Sequence, residues 1–300
     1  MTPKDNVPLD LPIALVGYGE VGKIFAAELT ALGAKISFFD ILLADADAGA
    51  AMRAHAASLG ATPCTSLAAA LAGAQVAISA VTASSAFAVA EEAARHIRPG
   101  QYFVDLNSAS PGTKQNSAQL IDAAGGNYVE AAVMGSVPPY GLKVPIILGG
   151  SKREYLARLL APADMRMEMG VAAIGVASAV KMCRSIMIKG LEALTVECLF
   201  TARRYGVEDQ VLASLMETYP GMDWQKEADY LVSRVVQHGR RRAAEMREVA
   251  HTVEEIGMQA LLAAPAARRQ DWMADLVSAG TVSKSEESWR KVADAIKAKG

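Results

Sequence analysis

Hydrophobic residues follow two different patterns along the chain. In the first half, short apolar runs of strand length alternate with helical stretches. The clearest runs are PIALVG at 12–17, AKISFFD at 34–40, AQVAISAVT at 74–82, QYFVDLNS at 101–108 and KVPIILGG at 143–150. After the last of these runs the strand signals fade, and from about residue 171 helical periodicity prevails. The alternation predicts an α/β domain with a parallel sheet, and the second half predicts an all-α domain.

The first predicted strand leads into a glycine-rich turn. Gly17, Gly19 and Gly22 fit the pattern GxGxxG between a strand and a helix, and Asp40 ends the next strand. Gly17 would permit a tight turn, Gly19 would let a pyrophosphate approach the backbone, and Gly22 would let helix and strand pack closely. Asp40 would accept hydrogen bonds from the adenosine ribose and repel a 2′-phosphate. The pattern predicts a Rossmann domain that binds NAD in preference to NADP. The alternative is a chance coincidence of glycines, with Asp40 capping the next helix.

Further candidate cofactor residues follow from the topology of a parallel sheet. Ligands collect beyond the carboxyl ends of the strands, which places Asn107 and Ser108 in the predicted cleft. An ordinary turn or helix cap before Pro111 is the alternative for that pair. The remaining predicted cofactor-binding residues are Tyr18, Glu20, Val21, Val81 and Thr82.

Composition and charge narrow the functional classes. The chain has 300 residues, 52% of them hydrophobic, and a formal net charge of −2, so no general attraction to nucleic acid or to an anionic membrane is expected. The apolar run before Lys181 is shorter than the roughly 18 residues that suggest a membrane span. Three cysteines without a CxxC pair favour a reducing cytoplasm, and four scattered histidines give no metal motif. We expect a soluble protein with a tail at 1–10, a Rossmann domain at 11–170 and a helical domain at 171–300.

The segment GVASAVKMCRSIMIKG at 175–190 predicts a helix with its polar residues on one side. No proline interrupts it, so one long helix could bridge the two domains and run until Gly206, with a bend at Gly190. On a helix, Lys181, Ser185 and Glu192 share one stripe, while the opposite side is rich in Val, Ile, Met and Leu. A lysine on such a stripe is either a reacting group in a cleft or a snorkelling side chain.

Four segments in order resemble the β-hydroxyacid dehydrogenase superfamily, which includes 6-phosphogluconate dehydrogenase and 3-hydroxyisobutyrate dehydrogenase. VGYGEVG resembles its nucleotide loop, and VDLNSASPGT resembles the D-x-S-T-x-S-P stretch beside the nicotinamide. EAAVMGS resembles the D-A-P-V-S-G-G substrate loop, and GVASAVKMCRS resembles the G-x-G-x-x-x-K-x-x-x-N catalytic helix. HGRRRAAEMREV resembles a C-terminal domain of unknown function in one branch. The chain departs from these motifs at Asn107, at Met134-Gly135-Ser136 and at Ser185.

The resemblance implies a role for each matching residue. Lys181 would be the general acid and base of a hydride transfer between a nicotinamide and a hydroxy acid, or a related alcohol or carbonyl compound. The same resemblance implies a small-molecule substrate that bears a carboxylate. It would contact Asn107, Ser108, Gly135, Ser136, Ser185, Lys189 and Arg241. For Arg241 the favoured alternative is an exposed charge ladder on its helix. A homodimer through the helical domain is also implied.

Two other functions are compatible with the sequence. One is an imine reductase or other carbonyl-type reductase, although imine reductases of similar architecture usually carry a different proton donor in place of Lys181. The other is a regulatory protein that senses a dinucleotide without turnover. The polar stripe on the central helix disfavours that second alternative.

Overall fold

The computed structural model describes residues 8–299 and contains two compact units. Unit 1 ends at Lys181, and unit 2 begins at Met182. Residues 1–7 of the predicted tail lie outside the described residues. The domain boundary predicted after residue 170 stays a prediction.

Unit 1 is built on one eight-stranded sheet. Its strands are β1 (Pro12–Val16), β2 (Lys35–Phe39), β3 (Thr62–Pro63), β4 (Val76–Ser79), β5 (Tyr102–Asp105), β6 (Asn127–Val133), β7 (Ile146–Gly149) and β8 (Met167–Met169). They lie in the order β3-β2-β1-β4-β5-β6-β7-β8. All neighbours pair in parallel except β6 and β7, which are antiparallel. The expectation of a parallel sheet is therefore wrong for that pair, because the short connection at 134–145 contains no crossover α-helix.

Three strands lie outside the apolar runs that predicted the sheet. β3 and β8 have only 2 and 3 residues, too few to show a period, so the fading of strand signals after β7 was misleading. β6 lies partly in the segment that resembles a substrate loop, and it carries the buried Glu130 in its middle, where a polar side chain interrupts the apolar pattern. The substrate-loop resemblance thus covers the end of a strand.

Helices cover both faces of the sheet in unit 1. They are α1 (Glu20–Ala31), α2 (Ala46–Leu59), α3 (Leu67–Leu71), α4 (Ala86–Ala94), α5 (Pro111–Ala123) and α6 (Arg153–Leu159). Successive residues of a strand point to opposite faces, so Leu15 joins a core with Phe25 of α1, whereas Val16 joins a second core with Ile121 of α5. Two apolar layers around one sheet confirm the predicted Rossmann architecture.

Unit 2 is all-helical. Its helices are the later part of α7 (Val176–Tyr205), followed by α8 (Glu208–Thr218), α9 (Trp224–Glu255), α10 (Ala263–Ser278) and α11 (Trp289–Lys297). α7 confirms the predicted long helix and runs through Gly190 without a break. α9 is kinked at His238, and α10 packs closely there, since a Cβ at Gly239 would lie 2.7 Å from the carbonyl oxygen of Gln270. Within residues 8–299, no helix is both long and apolar enough to cross a membrane.

Candidate cofactor and catalytic site

The glycine-rich turn after β1 combines two closely packed glycines with one open glycine. Gly17 has φ +93°, and a Cβ there would lie 2.5 Å from the carbonyl oxygen of Ala80. A Cβ at Gly22 would lie 2.3 Å from the carbonyl oxygen of Gly17. At Gly19, by contrast, a Cβ would have no described heavy atom within 4 Å. The fold itself therefore requires Gly17 and Gly22, whereas Gly19 leaves space for a ligand to approach the backbone.

The start of α1 faces this turn and suits an anion. Gly19 is the N-cap, and among the described residues no side chain caps the helix there. Glu20, the first helical residue, is exposed, and Val21 is half-buried. The amides of the first turn and the helix dipole are the groups that bind a dinucleotide pyrophosphate. The turn therefore fits the phosphate-binding part of a nicotinamide dinucleotide.

Asp40 links the turn to the end of β2. Its Oδ2 accepts a hydrogen bond from the Tyr18 amide at 2.7 Å, and its Oδ1 accepts one from the Leu42 amide at 2.9 Å. The capping role weighed as an alternative is therefore present, because Asp40 caps the short 3₁₀ helix Ile41–Ala44. A carboxylate has about four acceptor positions, so two amides leave capacity for ribose hydroxyls.

Tyr18 is turned into the protein, although it was predicted to bind the cofactor. Its ring stacks on Phe38 with centroids 3.7 Å apart, and its hydroxyl is 3.0 Å from Nδ1 of His55. Burial raises the pKa of this phenol. Only the backbone of Tyr18 therefore belongs to the turn.

Asn107 connects the carboxyl ends of β4 and β5. Its Oδ1 accepts from the Val81 amide at 2.7 Å, and its Nδ2 donates to Oγ of Ser79 at 3.0 Å. Asn107 as a whole residue is 4% exposed. Asn107 thus positions the main chain at Val81, next to the exposed Thr82. Its contact with a cofactor or substrate stays a prediction, as does that of the half-buried Ser108.

A buried ionic network lies beneath Asn107, and sequence reasoning missed it. Lys114 of α5 donates from Nζ to the Asp105 carboxylate at 2.9 Å and to the Asp105 carbonyl at 3.0 Å. The Tyr128 hydroxyl donates to the other carboxylate oxygen at 2.7 Å, and the Asn107 amide donates to Oδ1 at 2.9 Å. Desolvation and the charge of Asp105 raise the pKa of Tyr128 well above its usual value. The available signal was a carboxylate inside an apolar strand run.

Strand register places the polar residues Ser79, Asp105 and Glu130 in one row beside Val16 of β1. Val16 pairs with Ser79, Ser79 with Asp105, and Asp105 with Glu130. The row lies where β1, β4 and β5 end, directly before the glycine-rich turn. Gly135, like its neighbour Ser136, follows β6 at the same edge and is exposed. The sheet therefore gathers the predicted unit 1 residues at one edge.

Lys181 lies in the second turn of α7 and is half-buried. The start of this helix is held by Glu130 of β6, which accepts hydrogen bonds from the amides of Gly175 at 2.8 Å and Ser178 at 2.5 Å. Glu130 was quoted in the substrate-loop motif but was not predicted as a site residue. α7 thus begins on the polar row of the sheet, one turn before Lys181.

Three further predicted residues belong to unit 2. Lys189 is buried, and its Nζ donates to Oγ of Ser185 at 3.0 Å and pairs with Oε2 of Glu245 at 3.0 Å. Arg241 is exposed. Lys189 is one of the two lysines in this largely apolar helix, and its contacts with Ser185 and Glu245 explain how its ammonium group can be buried. Substrate contacts of Ser185, Lys189 and Arg241 stay predictions.

The polar stripe of α7 also includes Glu192, which is buried beside Arg242. Glu192 Oε1 is 3.0 Å from Nη1 of Arg242. Burial raises the pKa of Glu192 to about 7, although Arg242 and Lys189 act in the opposite direction. The apolar side of the helix is exposed instead, with Met187 72% and Leu194 63% accessible.

A metal centre is not found in the part of the chain that the structure describes. No group of three or more His, Cys, Asp or Glu side chains in residues 8–299 is arranged to hold an ion.

Comparison with known proteins identifies both parts of the chain. Residues 12–161 match the NAD binding domain of 6-phosphogluconate dehydrogenase, and residues 202–273 match a domain of unknown function, DUF1932. A crystal structure of a conserved hypothetical protein from Sinorhizobium meliloti 1021 is 37% identical, covers 97% of each chain and has a TM-score of 0.74.

Two other relatives are dehydrogenase-like. The conserved protein MTH1747, described as structurally similar to 3-hydroxyacid dehydrogenases, is 32% identical over 90% of this chain and 99% of its own, with a TM-score of 0.69. The mitochondrial 3-hydroxyisobutyrate dehydrogenase of Drosophila melanogaster is 24% identical over 72% of this chain. The chain spans 66% and 65% of the length of the curated relatives it matches, just under two thirds.

These matches confirm the resemblance seen in the four sequence motifs. They also agree with the geometry of the glycine-rich turn, which suits a nicotinamide dinucleotide. The chain belongs to the family of the 6-phosphogluconate dehydrogenase NAD-binding domain, in the superfamily of the 3-hydroxyisobutyrate dehydrogenases, and carries a C-terminal DUF1932 domain.

Proposed function

We propose that this protein is an NAD-dependent dehydrogenase or reductase of a small hydroxy acid or related alcohol, with Lys181 as its general acid and base. The observation that carries the proposal is the polar row Ser79, Asp105 and Glu130, which is in register with Val16 at the end of β1. The row immediately precedes the glycine-rich turn, and its last member anchors the helix that bears Lys181. The cofactor loop and the start of the helix that bears the candidate base thus lie at one sheet edge of unit 1.

Different residues of this sheet edge would bind different parts of the cofactor and the substrate. The amides around Gly19 would hold the pyrophosphate, and Asp40 would hold the adenosine ribose. The exposed backbone at Gly135 and the hydroxyl of Ser136 would donate hydrogen bonds to a substrate carboxylate. Bound NAD supplies the nicotinamide carbon that accepts a hydride from the substrate.

Lys181 would move the proton that accompanies the hydride. In oxidation, its neutral Nζ accepts the proton of the substrate hydroxyl while the C–H bond breaks and the carbonyl forms. In reduction, its ammonium returns that proton to the carbonyl oxygen. A positioned general acid or base contributes about 10²–10⁴-fold to a rate.

The test is formation of NADH across a panel of 2-hydroxy and 3-hydroxy acids, with purified wild-type protein and Lys181→Met. We expect turnover of at least one hydroxy acid and a fall in kcat of about 10²–10⁴-fold in K181M, with NADH binding unchanged. Lys35→Met, which removes an exposed lysine at the opposite end of the sheet, is the matched control and should retain full activity.

Two results would overturn the proposal. Tight NADH binding with no turnover of any hydroxy acid or carbonyl compound would identify a dinucleotide sensor. Reduction of cyclic imines with consumption of NADH would identify an imine reductase, provided that no hydroxy acid is oxidised and no keto acid is reduced.

The choice of NAD over NADP rests on Asp40, whose negative charge would repel a 2′-phosphate. Titration with NADH and NADPH should show at least about tenfold tighter binding of NADH, equivalent to 1.4 kcal/mol. Asp40→Asn should narrow that ratio, whereas Asp45→Asn, which changes an exposed helix cap, should not. Tighter binding of NADPH by the wild type would contradict this preference.

We also propose a homodimer that covers the exposed apolar side of α7. Met187 and Leu194 are seven residues apart, about two helical turns, and so lie on the same side of the helix. Large exposed apolar patches commonly mark association surfaces. Light scattering should give twice the chain mass for the wild type and the single mass for the double variant Met187→Glu, Leu194→Glu. A monomeric wild type would contradict the proposal.

A further inference from the structure

Glu130 is a carboxylate enclosed within the fold of unit 1. Its exposure is 0%, and each of its oxygens accepts one backbone hydrogen bond, from Gly175 at 2.8 Å and from Ser178 at 2.5 Å. Both oxygens act as acceptors, as those of an ionised carboxylate do. A negative charge therefore lies at the positive end of the 30-residue helix α7.

The neighbouring strand leaves space for this carboxylate. Gly149 of β7 is the register partner of Glu130, and a Cβ at Gly149 would lie 2.7 Å from Oε2. The chain before α7 is held from a second side, because Nε2 of Gln115 donates to the carbonyl oxygen of Ile174 at 3.2 Å. Gly175 has φ +99°, and a Cβ there would lie 2.9 Å from the same Nε2. The helix start is thus held by β6 and α5 together.

Lys181 follows this anchor within one helical turn. Lys181 is three positions after Ser178, a rise of about 4.5 Å, and residues three positions apart are neighbours on a helix surface. A displacement of the first turn therefore moves the Lys181 backbone by a similar amount. Misplacement of a reacting group by about 1 Å can cost about 10²-fold in rate.

The charge of Glu130 acts on Lys181 in a second way. A helix N-terminus carries roughly half a positive charge, which disfavours a nearby ammonium. The Glu130 carboxylate offsets that partial charge and so favours protonated Lys181. Loss of the carboxylate would lower the pKa of the amine.

From these contacts we infer that Glu130 is a positioning residue that sets both the location and the proton affinity of Lys181. The inference rests on the proposed function of Lys181 as general acid and base. A purely structural cap would affect stability alone, whereas a positioning residue also changes kcat and its pH profile.

The test compares Glu130→Gln, Gly149→Ala and their combination with the wild type. Glutamine keeps the size of the side chain but has one acceptor oxygen and no charge, and the Gly149→Ala methyl displaces Oε2 without removing the charge. Glu154→Gln, an exposed glutamate at the start of α6, is the matched control.

We expect E130Q to lower kcat by about 10–100-fold, with the KM for NAD within about twofold of wild type. The basic pKa of its pH–rate profile should move to lower pH. G149A should lower kcat in the same direction by less. The double variant should be no worse than E130Q, because both changes act through one carboxylate. E154Q should match the wild type.

A readout independent of turnover separates this inference from the proposed function. Reductive ¹³C-methylation of lysines gives an NMR signal for Lys181 that is assigned by its absence in Lys181→Arg, and the signal can be titrated without substrate. A lowered Lys181 pKa in E130Q supports the inference even if no panel substrate is turned over.

An unchanged Lys181 titration and an unchanged kcat in folded E130Q would overturn the inference. If circular dichroism shows that E130Q does not fold, G149A decides the matter by the same two measurements. Wild-type values in folded G149A would then count against it.

Discussion

Each unit contains a buried ion pair, and the two differ in how completely their polar atoms are partnered. In unit 1, the Asp105 carboxylate has Lys114, Tyr128 and the Asn107 amide as donors. In unit 2, Glu192 pairs with Arg242 through one oxygen only. The buried atoms Glu192 Oε2, Thr195 Oγ1, Arg242 Nε and Gln270 Oε1 have no hydrogen-bond partner among the described residues.

The fully hydrogen-bonded network of unit 1 forms a rigid support, whereas the core of unit 2 contains buried polar atoms without hydrogen-bond partners among the described residues. A buried charge is stable only when its lone pairs and protons find partners, and a partly satisfied network costs more than an apolar one. The unit 1 network lies beneath the predicted cofactor edge, where fixed geometry is needed. The unit 2 network contains Glu192, and burial raises the pKa of this glutamate to about 7. We therefore expect the largest losses of stability from mutations in the unit 1 network. We expect pH to change mainly the stability of unit 2.

The largest effect is expected for Asp105→Ala. Removing the carboxylate leaves the Lys114 ammonium buried without its counter-ion, which typically costs about 3–5 kcal/mol. Hydrogen exchange of peptides from β5 in increasing urea measures this loss in unit 1. Asp10→Ala breaks the exposed pair with Lys35, which solvent screens, and should leave the stability of unit 1 almost unchanged. Equal losses of stability in Asp105→Ala and Asp10→Ala would contradict the expected difference between the buried pair and the exposed pair.

The second prediction concerns Glu192→Gln and pH. The folded-state pKa of Glu192, about 7, is above the ordinary value of 4.5, so the folded state binds the extra proton. Its contribution to stability is therefore present below pH 4.5 and declines as pH rises to 7, by about 3 kcal/mol in total. Glutamine cannot ionise, so E192Q should lose this decline.

Intrinsic fluorescence reports the Glu192 effect directly. All three tryptophans, Trp224, Trp272 and Trp289, belong to unit 2. Urea unfolding followed by tryptophan fluorescence at several pH values between 4 and 8 therefore reports on unit 2. An E192Q curve with the same slope as the wild type would exclude Glu192 as the source.

His238 should produce the opposite dependence, with a smaller amplitude because it is partly exposed to solvent. Burial, followed by the charges of Arg241 and Arg234, lowers the pKa of His238 from 6.5 to about 4. The unfolded chain binds a proton below pH 6.5 that the folded chain refuses, so stability falls as pH drops from 6.5 to 4. In His238→Gln that acid-side loss should disappear from the fluorescence-detected unfolding curves. A steeper loss in H238Q would show that His238 is protonated in the folded state.

The smallest effect compares two buried hydroxyls. Thr195 has no partner for Oγ1, so Thr195→Val should stabilise unit 2 by about 1 kcal/mol. Ser79 Oγ accepts from Asn107, so Ser79→Ala should destabilise unit 1 by about 1 kcal/mol. Fluorescence-detected urea unfolding measures T195V, and hydrogen exchange measures S79A. Stability changes of the same sign in T195V and S79A would contradict the proposal that only the Ser79 hydroxyl has a hydrogen-bond partner.

The sequence by itself determined the features that depend on neighbouring residues. The apolar runs located β1, β2, β4, β5 and β7, because strand length and flanking polar residues are local signals. The spacing of Gly17, Gly19 and Gly22 predicted a turn whose geometry requires two of these glycines and leaves the third open. The length of α7 also followed from its composition, since no proline interrupts it.

Only the tertiary structure decided which distant polar groups meet. Glu130 contacts amides 45 and 48 residues away, and Lys114 reaches Asp105 through the packing of α5 against the sheet. It also decided that the polar stripe of α7 is buried at Ser185, Lys189 and Glu192. Such pairings depend on strand order and helix packing, which bring together residues that no local period relates. Local periodicity therefore predicted the elements, and long-range packing assigned their buried charges.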